Sequence, residues 1–222
     1  MSMQALDDTL VPLAAEPWTV GWAALMLAMW AVMMAAMMLP SAAPAILLYA
    51  TLARRRAERG EAPASAAGAF ASGYVLVWAL FSVAATALQF ALEQAALMSP
   101  AMRTTSVALA GAALVGAGVY QWTSLKHACL RHCRSPLEFI TEHWRSGASG
   151  ALRMGATHGA YCVGCCWVLM LLLFVGGVMN FAWIAGLALF VLVEKVVPAG
   201  HRVARASGVA LVAWGVATWL AL

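Results

Sequence analysis

The chain has 222 residues, 64% of them hydrophobic and 10% charged, with a net charge of +4 and a mean hydropathy of +0.85. Soluble domains are about 45–50% apolar and about 25% charged, so a water-soluble globular domain is excluded. The modest positive charge needs no nucleic acid to explain it, because the basic residues sit in short segments between apolar runs, where they set topology.

Apolar runs of about 18 residues or more recur, each long enough to cross about 30 Å of hydrocarbon. The expected fold is all-α, a polytopic transmembrane helical bundle of about six spans forming one membrane domain over residues 1–222. Residues 1–17 are a polar leader whose first charges are acidic (Asp7, Asp8, Glu16), so it does not read as a cleaved signal peptide. Span one is expected from about Trp22 to Tyr49, with Pro40 and Pro44 predicting a kink or break near Leu39. A charged loop from Arg54 to Glu61 leads to span two, about Gly68 to Phe90, which ends near Gln89, Glu93 and Gln94. Met98-Ser99-Pro100 turns the chain into span three, about Thr104 to Leu125.

The longest polar segment, 126–153, follows and is expected to be a His/Cys-containing loop. From Met154 to Val197 the apolar run is too long for one crossing, so spans four and five should meet at a turn near Gly177 to Asn180. Lys195, His201, Arg202 and Arg205 precede span six, which ends at Leu222. Lys and Arg concentrate after spans one, three and five. The positive-inside rule then puts both termini outside and the 126–153 loop in the cytoplasm.

Three stretches carry chemistry. At about 100° per residue, His158, Cys162, Cys165 and Cys166 fall within an arc of roughly 100° on span four. Buried cysteine is usually a small inert packing residue, but four soft or borderline ligands on one face of a membrane helix read as a metal site. Just before it, His127, Cys129, His132 and Cys133 crowd into seven residues, and they are candidates to complete the same site or to relay ions to it. In span one, six of the 13 methionines lie between Met26 and Met38. Met26, Met29, Met33 and Met37 form a stripe that is either core packing or a row of thioether ligands. Thioether together with thiolate selects Cu(I), with zinc the second choice. Glu194, late in span five, is a carboxylate ligand or a counter-ion to a basic loop residue.

The pairing of Trp30-Ala31-Val32-Met33-Met34-Ala35-Ala36-Met37-Met38-Leu39-Pro40-Ser41 with His158-Gly159-Ala160-Tyr161-Cys162-Val163-Gly164-Cys165-Cys166-Trp167, followed by Met170, Gly177-Val178-Met179-Asn180 and Glu194-Lys195, resembles a bacterial family of unknown function. That family is described as predicted metal-binding integral membrane proteins. The resemblance covers about Trp22 to Pro198 and implies a multi-pass protein of the bacterial inner (cytoplasmic) membrane with a copper-related role.

These readings converge on a membrane protein that handles Cu(I) by a graded relay. Weak thioethers would accept the ion from the outer half, and His158, Cys162, Cys165 and Cys166 would hold it at the cytoplasmic end. The expected partners are the lipid bilayer, the metal ion, and a soluble metal chaperone or a recipient metalloenzyme. Two alternatives stand beside this reading: a membrane metal or thiol oxidoreductase using Cys165 and Cys166, and an assembly subunit with a structural zinc site.

Overall fold

The computed structural model describes residues 18–59 and 66–221; the leader, 1–17, and residues 60–65 and 222 lie outside them. The described residues are helical throughout, apart from turns and one isolated antiparallel bridge between Met98 and Thr104. The helices are α1 (Val20–Ala57), α2 (Ala66–Gln94), α3 (Val107–Tyr120), α4 (Ser124–Arg134), α5 (Pro136–Glu142), α6 (Gly147–Leu171), α7 (Leu173–Gly176), α8 (Phe181–Val196) and α9 (Gly200–Leu220). Several begin where a side-chain oxygen can serve an orphan backbone donor. Thr19 caps α1 through Trp22, Ser106 caps α3 through Leu109, Thr123 caps α4 through Lys126 and Asn180 caps α8 through Trp183. Arg54, Arg55 and Arg56 occupy the last turn of α1, where cations complement the helix dipole.

Among the described residues, four helical stretches are long and apolar enough to cross a membrane: α1, α2, α6 continued through α7, and α9. These correspond to the expected spans one, two, four and six. Span three is replaced by α3, 14 residues long, and span five by α8, 16 residues long. At about 1.5 Å per residue they reach about 21 and 24 Å, short of about 30 Å of hydrocarbon. The turn expected near Gly177 to Asn180 is present, and Gly177 takes it with a φ of +96° that side chains disfavour.

Two expectations are corrected. Of the kink or break expected near Leu39, the break is absent: α1 runs unbroken through Pro40 and Pro44. Both prolines lie on its exposed face, and the Met38 carbonyl accepts from the Tyr74 hydroxyl at 3.1 Å and from Ser41 Oγ at 2.9 Å. The segment 126–153 is not a loop. It forms most of α4, then α5 and the first turns of α6, and α4 packs along α6.

The most extensive contacts are α2 on α6 and α3 on α9. Small residues set both. A methyl group built on Gly73 would strike the Leu152 carbonyl, and one on Gly155 the Phe70 carbonyl, so the two backbones approach as closely as glycine permits. Gly118, Gly208 and Gly215 do the same for α3 and α9. Gly155→Ala is therefore expected to force α2 and α6 apart at a cost of about 1–3 kcal/mol. Thermal unfolding in detergent checks this, with Gly116→Ala, where a methyl group meets nothing within 4 Å, as the neutral control.

Candidate metal centre

The α6 face expected from the helical wheel is buried as a unit. His158 is 2% exposed, Cys162 and Cys165 are 1% and Cys166 is 0%. The Cys165 and Cys166 thiols donate back to the Cys162 carbonyl at 3.1 and 3.0 Å, which turns both sulfurs toward the same stretch of backbone. α4 supplies the other two cysteines. Gly164 leaves space on α6 against which Cys129 Sγ lies, and the Tyr120 hydroxyl donates to the Gly164 carbonyl. Cys129 and Cys133, one helical turn apart, both pack against the core cluster that holds Cys162, Cys165 and Cys166. All five cysteines are free. Hydrogen bonds toward Cys162 and Cys165, together with burial, push the Cys133 thiol well above its ordinary range, and burial pushes Cys129 up.

Cys162 is the hub. Its sulfur lies 2.9 Å from Lys195 Nζ and 3.0 Å from the Tyr74 hydroxyl. Lys195 also donates to Ser41 Oγ at 2.9 Å, so one ammonium joins α8, α6 and α1. A buried cation is costly unless it is surrounded by acceptors, and here a sulfur and a hydroxyl provide them. Behind it, Lys126 on α4 binds both oxygens of Glu194 at 2.9 and 3.0 Å, with side chains 0% and 2% exposed. Glu194 therefore acts as the counter-ion of Lys126. Arg134 caps the end of α8 through the carbonyls of Glu194 and Pro198.

The methionines belong to the same body of sulfur. Met26, Met34, Met37 and Met38 are buried in one cluster with the α6 cysteines and Met170, and Met29 and Met33 are half-buried at its edge. The buried face of α1 is thus turned toward Trp30, Met34 and Met38, to one side of the expected stripe.

The histidines of α4 have neighbours other than the thiols. His127 lines a cavity of about 290 Å³ with Leu130, Arg131, Arg134, Ser135 and His201, and burial followed by Lys126 lowers its pKa. His132 stacks on Tyr161 at 4.1 Å. His158 packs among Phe139, Phe70 and Tyr74, and its buried Nδ1 has no hydrogen-bond partner. Among the described residues, no three His, Cys, Asp or Glu side chains already stand in metal-holding geometry. The α6 thiols are gathered and hydrogen-bond within the cluster.

Sequence reasoning missed Tyr74, Ser41, Lys126 and the hub role of Lys195. Lys195 and Glu194 were the detectable signal, since a charged pair at the end of an apolar run demands partners.

Among the described residues the protein is a helical bundle with four apolar helices long enough to cross a membrane and a core rich in thiols and thioethers. A family model described as copper chaperone (PpoB2) matches residues 27–218, and the chain belongs to that family. No curated protein and no solved structure matches the chain.

Proposed function

We propose that the chain takes up Cu(I) in its sulfur core and passes it on by ligand exchange. Cys162, Cys165, Cys166, Cys133 and Cys129 would be the tight donors, with His158 Nδ1 the imidazole in reserve and Met33 and Met37 the weaker thioethers beside them. The observation that carries this reading is that every cysteine of a copper chaperone family member packs into one cluster continuous with a row of buried methionines. Thiolate and thioether donors suit Cu(I) better than zinc, for which more nitrogen and a closed tetrahedron are usual.

Each residue has a part in the step. Copper entering at Cys162 takes over the electron pair that Lys195 now holds. The ammonium keeps Ser41 as an acceptor, and each further thiol that binds releases its proton. Because sulfurs on α4 and α6 exceed what a two- or three-coordinate ion needs, copper can move by gaining one sulfur before losing another. The Lys and Arg distribution supports placing the thiol end toward the cytoplasm, with an inner-membrane location. A soluble metal chaperone or a recipient metalloenzyme is the natural partner for such an exchange.

Anaerobic titration of the detergent-purified chain with Cu(I) against a chromophoric competitor tests the reading. About one Cu(I) per chain should bind tightly. Because Cys129 and Cys133 are pushed up and hold their protons through neutral pH, copper must displace them. Affinity should rise with pH by about tenfold per unit for each proton released. A pH-independent affinity would contradict thiol ligation from α4.

A further inference from the structure

The sulfur row has a second end. At about 1.5 Å per residue, Met26 lies about 22 Å along α1 from Ser41, well away from the thiols. There Gln89 on α2 is 0% exposed, and its amide nitrogen faces three acceptors. Met26 Sδ lies at 3.5 Å, Met102 Sδ at 3.6 Å and Glu93 Oε1 at 2.8 Å. The orientation of this amide follows from its other end, because Gln89 Oε1 accepts from the Trp30 indole at 2.7 Å and must therefore be the oxygen. The second Glu93 oxygen accepts from the Trp18 indole at 2.7 Å. An amide nitrogen carries two protons, so three acceptors around it leave one unserved. Two thioethers and a carboxylate converge on one weakly positive group, as they would around a cation.

Met102 reaches this point by an unusual backbone route. It sits at φ +53°, a left-handed conformation that a residue with a long side chain rarely adopts. Met102 N–H donates to the Ser99 carbonyl at 2.9 Å, and its own carbonyl accepts from Val178 N–H at 3.3 Å. The turn between α2 and α3 is thus tied to the segment after α7, with the Met102 side chain directed inward and 8% exposed. Backbone strain of this kind persists where the surrounding structure holds it, and it concentrates at functional positions.

We infer that Met26, Met102 and Glu93 form a second Cu(I) station at the end of the sulfur row remote from the cysteines, with the Gln89 amide as the group the ion displaces. This rests on the copper reading above. Two thioethers select a soft monovalent ion, and Glu93 offsets its charge. Thioether sulfur carries no proton to displace, so this station is weaker than the thiol cluster and releases its ion readily. Met34, Met37 and Met38 lie between the two stations on the buried face of α1.

The test uses the full chain in detergent with carbon-13 in the methionine methyl groups and Ag(I) as a redox-inert stand-in for Cu(I). Met26→Leu and Met102→Leu identify the two signals. In the wild type the Met26 and Met102 methyl signals should shift together once the thiol cluster has taken its ion, and in a Cys162→Ser, Cys165→Ser variant they should shift together at lower added Ag(I), each saturating with one ion at this station. Met102→Leu should weaken the Met26 response at least about tenfold, the size of effect seen when even an outer-shell partner is lost. If these two signals stay still in the wild type at excess Ag(I), the station does not exist, whatever the variants do. Failure of the thiol reading shows separately, as tight metal retained by the serine variant.

Discussion

Replacing Cys162 and Cys165 together by serine is expected to strip the purified chain of tightly held copper, from about one ion per chain to background. The two side chains are 1% exposed and lie less than one helical turn apart on α6. Cys162 is the sulfur that Lys195 and Tyr74 both address. Serine is nearly isosteric and its hydroxyl can still meet Lys195 and Tyr74, so the fold should survive while the soft donors are lost. Elemental analysis with a circular-dichroism control separates the two effects. Copper retained at the wild-type ratio by a folded variant would remove these sulfurs from the site.

The second large effect concerns the ion pair beneath the site. Glu194→Ala should lower stability by about 3–5 kcal/mol, because it leaves the Lys126 ammonium buried without its partner. Removing both charges with Lys126→Met and Glu194→Met should recover most of that loss, since hydrophobic replacement of a buried pair is often neutral. Thermal unfolding of the two variants in one detergent decides it. Equal destabilisation would mean that Glu194 acts through something other than charge, such as the packing of its side chain, 2% exposed.

How much of this was legible in the sequence depended on whether a residue's environment is local. The α6 face could be read because four positions on one helix obey one period, and all four are buried as that period requires. The Gly177 turn was legible because a positive φ singles out glycine. α4 was hidden: its lysine, arginines and histidines read as a polar loop, and only tertiary packing, with Glu194 of α8 meeting Lys126, buries Lys126 and Leu130 and sets the cysteine edge against the core. The Lys126–Glu194 pair joins positions 68 residues apart, a distance no local pattern spans. The methionine stripe was placed to one side because the wheel was set by Met26, Met29, Met33 and Met37, whereas Met34, 0% exposed, lies near the centre of the buried arc. Pro40 and Pro44 suggested a kink or break, and α1 continues through both, each lying on its exposed face. The acceptors around the Gln89 amide come from three segments, and the strained turn that delivers Met102 leaves no mark in composition.

The central claim is that copper is held by the sulfur gathered between α4 and α6. X-ray absorption at the copper edge, on the detergent-purified full chain loaded anaerobically with one equivalent of Cu(I), addresses it most directly. The account predicts a two- or three-coordinate Cu(I) spectrum with a first shell dominated by sulfur. A first shell of nitrogen and oxygen only would contradict it.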